Sequence, residues 1–255
     1  MTRLSPRRLQ IGILAGVFLA IPMLAQQADT ATVIHEVDAA AQARIENLAG
    51  YTVTEHYAVF KGNDEIHPLA EMVVATTYNK ESGKSYMIQS QSGSTIVRNL
   101  VLRAILDNEK RLNQPGIREG AWITSSNYWM ELEPGGTRPL DGRDCLVLAL
   151  RPKRKAPYLF EGRIWVDAKD GSIVQLQGIG SKSPSMLTGP TQVIRQYANI
   201  GGFSQATHAR AVTKSSMFGE TIVKIDYKDY HIQLRPITSG AADDRHLKAL
   251  SDPAE

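Results

Sequence analysis

The sequence predicts a mainly β protein of α+β type. Its curved antiparallel sheet of about ten strands forms an incomplete barrel, with two helices covering or plugging it. Three observations predict this. Residues 142–178 read as three consecutive strands joined by turn chemistry. Much of the remaining chain falls into short alternating runs separated by Gly, Asn, Asp and Pro. Only two stretches, 32–48 and 95–112, carry apolar residues at helical spacing.

The central meander begins at Gly142-Arg143-Asp144, which turns the chain into the apolar run Cys145-Leu146-Val147-Leu148-Ala149-Leu150, closed by Arg151-Pro152. The basic loop Lys153-Arg154-Lys155 leads to a second strand over 158–167. Ala168-Lys169-Asp170-Gly171 is a hairpin turn, with Gly supplying positive φ. The β-branched run 172–177 follows.

Taken in order, the chain opens on Arg3, Arg7 and Arg8, the apolar stretch 11–21, Pro22 and a candidate cleavage point at Ala25. This is the pattern of a secretory signal peptide over 1–25, short for a membrane span. No cysteine follows the apolar stretch, so a lipid-anchored mature N-terminus is not expected. Without those three arginines the 29 basic residues become 26, equal to the 26 acidic ones. A neutral mature chain gives no electrostatic case for nucleic acid. The single cysteine, Cys145, excludes an intrachain disulfide and reads as a small buried hydrophobe.

Residues 32–48 predict a helix with one apolar stripe, ended by Gly50 as C-cap. Strands are expected over 51–61, 69–78 and 84–91. A more apolar helix follows over 95–112, stopped by Asn113-Gln114-Pro115-Gly116. Short strands are expected over 121–126 and 128–133. After the meander come a loop over 180–190 and strands over 192–199, 203–214 and 221–233. One domain over 30–235 is expected, followed by a polar flexible tail over 236–255.

These elements resemble the periplasmic lipoprotein-carrier proteins of the LolA/LolB type, to which a domain of the sigma-factor regulator RseB is related. The resemblance rests on 142–152, on Arg163-Ile164-Trp165-Val166-Asp167 leading to Ile173-Val174, and on Tyr227-Lys228-Asp229-Tyr230. The chain departs from the pattern at Gly202-Phe203-Ser204, where many relatives carry a proline, and in its basic 151–158 loop. The resemblance implies a half-open barrel whose apolar concavity holds acyl chains or a lipoprotein, for lipoprotein sorting or lipid transport. The alternative it leaves open is an envelope regulatory or scaffold module that binds a partner protein.

No catalytic, metal or cofactor motif is present. Gly83-Lys84-Ser85 copies the end of a phosphate-binding loop, but Tyr78 stands where its first glycine is required, which leaves a surface hairpin. The six histidines lack ligand spacing. Asp64, Glu65 and His67 read as a polar turn, and Cys145 lacks a neighbouring base. The expected activity is binding, without catalysis. Tyr57, Met72, Val74, Met87, Trp129 and Trp165 are the candidate cavity lining, though aromatic and Met residues on strands are core more often than ligand contacts. Met186-Leu187 and Met217-Phe218, in loop tips, either contact the ligand or partner or fold back over the barrel mouth. Lys153-Arg154-Lys155 is either a solvated loop or a patch for anionic headgroups.

Overall fold

The computed structural model describes residues 29–62, 64–183, 189–216 and 219–236. The expected leader over 1–25 and all but the first residue of the expected tail lie outside them. The elements run α1 (Thr30–Asn47), β1 (Leu48–Lys61), β2 (Ala70–Asn79), β3 (Gly83–Gly93), α2 (95–112), β4 (Tyr128–Leu132), β5 (Arg138–Leu140) and β6 (Arg143–Pro152). There follow β7 (Phe160–Asp167), β8 (Ile173–Gly180), β9 (Gln192–Ile200), β10 (Phe203–Ser215) and β11 (Gly219–Leu234). All eleven strands pair antiparallel in one sheet of order β3-β2-β1-β11-β10-β9-β8-β7-β6-β4, with β5 also on β6. The sheet is curved and does not close, so β3 and β4 are its edges.

Helix α1 is capped by Asp29, whose carboxylate accepts from the Thr32 N–H. It passes directly into β1 at Leu48, which the helical spacing had included in the helix. Gly50 is consequently not a C-cap. It lies inside β1, where a Cβ would fall 2.5 Å from the carbonyl oxygen of Tyr78 on β2. Close backbone approach, not helix termination, requires glycine there. Helix α2 starts at the N-cap Ser94 and contains a π turn over Arg98–Leu102 before it resumes as Arg103–Leu112.

The strand expected over 121–126 is absent. Ser125 donates its N–H to Asp38 of α1 at 2.8 Å, and the Asn127 side chain donates to the carbonyls of Glu119 and Trp122. Side-chain bonds thus satisfy this backbone in place of a ladder. β5, three residues around Pro139 at the sheet margin, is the strand that the pattern misses.

Cross-strand pairing sorts the side chains into two faces. Leu132, Leu148, Ile164, Leu176, Arg195, Ala209, Ile225, Tyr57 and Met72 are successive partners from β4 to β2 and share one face. Both helices pack on it. Val33 and Val37 of α1 join Tyr128, Leu148 and Ile164 in one cluster. Val97, Leu102 and Leu106 of α2 join Tyr57, Met72 and Ile225 in another. Each such burial contributes roughly 1.5–3 kcal/mol. Gly171, with φ of 66° in the turn after β7, also lets α1 approach: a Cβ would lie 2.6 Å from the Glu36 backbone carbon.

Candidate functional site

The opposite face carries the row Glu131, Ala149, Arg163, Gln177, Ile194, Arg210, Lys224, Ala58 and Glu71. Its first six members line a hollow of about 900 Å³ that spans six strands, β4 and β6 to β10. Strands that border one hollow from both sides must bend around it. Two paired glycines, Gly162 on β7 and Gly178 on β8, sit in its lining. A Cβ on Gly162 would overlap the Gln177 carbonyl, and one on Gly178 would come 2.8 Å from the Glu161 oxygen. These glycines let the two backbones approach as a bent ladder demands.

The lining is amphiphilic. Trp129, 59 % exposed, forms an apolar surface with Ile179, Ile194 and Val212. Lys153 lies 4.4 Å above the Trp129 ring. Of the three arginines in the lining, two are held by carboxylates. Arg163 pairs with Glu133, and Arg210 reaches Glu65 at 2.5 Å, joined there by Lys224 at 2.8 Å. Hydrogen bonds from Arg210 and Lys224 push the Glu65 carboxyl down to about 2. Arg151, the cross-strand partner of Trp129, has no carboxylate within ion-pair reach among the described residues. Glu131 and Glu161 line the hollow without an ion pair there. The arrangement can hold an apolar chain and offer both charge signs to a polar head; nothing in it activates a nucleophile.

The helix face holds a buried charge cluster instead of a cavity lining. Lys84 on β3, with 8 % of its side chain exposed, meets Glu55 of β1 at 3.4 Å and Glu109 of α2 at 3.3 Å. Glu55 also accepts a 2.5 Å bond from the Tyr57 hydroxyl, and Arg195 on β9 approaches Glu109 at 3.9 Å. Burial works to lower the Lys84 pKa, but Tyr51, Glu109 and Glu55 outweigh it and hold the ammonium up. Burial likewise works to raise Glu109, and Lys84 and Arg195 bring it below the ordinary carboxylate value. Gly83-Lys84-Ser85 is therefore no phosphate loop: it opens the returning strand of the β2–β3 hairpin, as expected, but its lysine points inward instead of lying on the surface.

The predicted lining residues do not come together. Tyr57, Met72 and Val74 are buried under α2, where the apolar helix face fills the space above them. Met87 is exposed on the edge strand β3. Trp129 lines the hollow, whereas Trp165 is half-buried on the same face outside the lining. Met186, Leu187, Met217 and Phe218 lie outside the described residues. The described ends of the loops that carry them adjoin, since the Gly189 N–H donates to Lys214 at 2.8 Å. Ile179, Gln192 and Val212 near those ends border the hollow. Sequence reasoning missed Arg151, Arg163, Ile179, Ile194, Arg210 and Val212. Their signal was alternation along β6 to β10, which separates two faces without saying which one is open.

The remaining candidates resolve into local roles. Asp64 accepts the N–H groups of Ile66 and His67, which with the His67 ring lower its pKa. Cys145 is buried, and burial pushes its thiol pKa up. Among the described residues no three His, Cys, Asp or Glu side chains gather as metal ligands, and no helix is long and apolar enough to cross a membrane.

This is an open, curved antiparallel sheet with helices on one face, an incomplete barrel. Solved structures similar to it include the following three. A putative outer membrane lipoprotein-sorting protein domain from Vibrio parahaemolyticus is 11% identical, with 84% of this chain and 96% of that one covered and a TM-score of 0.43. A DUF1329 family protein from Desulfovibrio piger is 13% identical, with 80% and 93% covered and a TM-score of 0.41. The LolA superfamily protein NE2245 from Nitrosomonas europaea is 13% identical, with 82% and 96% covered and a TM-score of 0.36. No family model matches the chain, and no curated protein matches it.

Proposed function

We propose that the protein is a periplasmic binding protein that holds lipid or lipoprotein acyl chains, in lipoprotein sorting or lipid transport at the outer membrane. The observation that carries this reading is the hollow of about 900 Å³, a volume suited to a drug-sized or larger amphiphile. Acyl chain laid along Trp129, Ile179, Ile194 and Val212 gains roughly 0.8 kcal/mol per buried methylene. A short buried length thus gives useful affinity. A polar head has Arg151 and Lys153 beside Trp129 to meet it.

The test is organic extraction and mass spectrometry of protein purified from a Gram-negative periplasm, together with uptake of a fluorescent fatty acid. Co-purified lipid and saturable uptake, weakened by Trp129→Ala, are the expected results. Neither lipid nor uptake would remove the reading.

A second reading, an envelope regulatory module that binds a partner protein, is favoured by β3. This edge strand spans Gly83–Gly93, lacks a neighbour on one side among the described strands, and exposes most of its length. Such an edge accepts an extended peptide as an added strand. Lysate capture that Met87→Pro abolishes without loss of fatty-acid uptake would favour it over carriage.

A further inference from the structure

Four of the nine large apolar side chains exposed among the described residues lie at one corner of the molecule, outside the hollow's lining. Ile66, Ile96 and Leu100 are 81, 63 and 56 % exposed, and Leu69 is exposed beside them. Two elements bring the four together. Ile66 and Leu69 belong to the loop between β1 and β2, and Ile96 and Leu100 are one turn apart on the first half of α2. The Ser94 N–H donates to the Leu69 carbonyl at 2.8 Å, which fixes the loop against the start of that helix.

The free charge at this corner is positive. The acidic groups nearest the patch are already engaged. Asp64 is taken by its own loop and His67, Glu65 by Arg210 and Lys224, and Glu220 by Lys214 at 3.6 Å. The cations are not. Arg98 bonds only the Thr95 hydroxyl, at 2.9 Å, and its Nε is a buried donor without an acceptor. Neither Arg103 nor Lys61 has a carboxylate in ion-pair reach among the described residues, and both are exposed. The first acidic residue of α2 is Asp107, beyond the apolar pair.

We propose that this corner docks the protein on an anionic phospholipid surface. Ile66, Leu69, Ile96 and Leu100 enter the headgroup–acyl boundary, and Lys61, Arg98 and Arg103 meet the lipid phosphates. Apolar side chains ringed by unpaired cations are the combination that binds such a surface, through buried area plus attraction to anionic lipid. The ion pair from Glu65 ties the docking loop to Arg210, which lines the hollow on the other face of the sheet. The inference does not depend on what fills the hollow.

The test uses the full chain carrying an environment-sensitive fluorophore on Leu100→Cys, since the native Cys145 is buried. Vesicles of phosphatidylcholine, with or without phosphatidylglycerol, are added. The expected result is a blue shift and about a twofold or greater rise in emission with phosphatidylglycerol vesicles only, reversed by salt. Arg98→Glu with Arg103→Glu should abolish the response. The same fluorophore on Lys169→Cys, in the turn between β7 and β8, should not respond. No response at position 100, an equal response to phosphatidylcholine alone, or an equal response at position 169 would overturn the proposal. Because the readout is local to Leu100, vesicle binding through another part of the chain cannot imitate it.

Discussion

Glu65, in the loop after β1, accepts a 2.5 Å hydrogen bond from Arg210 on β10, although 145 residues separate them in the chain. Lys224 on β11 completes the cluster, which joins the loop to two strands near the middle of the sheet. The Glu65 carboxyl is pushed down to about 2 from an ordinary 4.5. A depressed carboxyl contributes stability that is fully present above its unfolded pKa and is lost as pH falls through the folded one. Glu65→Gln should therefore lower thermal stability at pH 7, by about 1 kcal/mol or less for so exposed a pair. It should also flatten the acid side of the stability profile between pH 4.5 and about 2. Melting curves across that range decide it: an unchanged slope would show that the pair does not contribute.

Lys84 is the cation shared by the buried Glu55 and the half-buried Glu109. Lys84→Met leaves Glu55 and Glu109 facing one another without it, and should cost about 3–5 kcal/mol. Replacing all three, as Lys84→Met with Glu55→Gln and Glu109→Leu, should restore much of the loss. Urea unfolding measures both variants. A single variant within about 1 kcal/mol of the parent would mean that water already screens the site.

Gly162 and Gly178 predict a different kind of failure. Gly162→Ala forces a methyl group against the Gln177 carbonyl of the neighbouring strand, which must move. The expected cost is about 1–3 kcal/mol, with added loss of fatty-acid uptake as the ladder opens. Unfolding and uptake measured on the same preparation should fall together.

Trp129→Ala should separate binding from folding. The ring is mostly in solvent, so melting should move little, whereas fatty-acid affinity should fall about tenfold if the ring covers ligand. Titration with the fluorescent fatty acid reads the second quantity. Equal loss of stability and affinity would assign the ring to structure.

Much of the fold is legible in the residues because its signals are local. Asp170-Gly171 turns where a positive φ is needed, and the alternation of β1 and the apolar spacing of α2 appear in their own segments. Leu48 and Gly50 mislead for the converse reason. Gly50 is required by a carbonyl on Tyr78, twenty-eight positions away, and nothing near it in the chain shows that. Lys84 looked like a surface lysine for the same cause, since Glu55 and Glu109 meet it only after β1, β3 and α2 assemble. The site was legible only at Trp129. Alternation told Tyr57, Met72 and Val74 from their neighbours, but α2 decides that their face is filled, and the partners Arg163, Gln177 and Ile194 come from three different strands.

β1 is sandwiched between β2, its neighbour in the chain, and β11, the last of the described strands to be made. Fourteen residues of β1 thus wait for Gly219–Leu234 before their second row of amide partners exists. Closure across so long a separation makes folding slow, because the entropy of the intervening loop is lost before the ladder returns anything. A chain emerging N-terminus first keeps β1 as a raw, hydrogen-bond-hungry margin until almost its whole length is out. A holding chaperone that masks residues 48–61 during that interval would raise the yield of folded protein more than one acting on the self-sufficient meander of β6, β7 and β8.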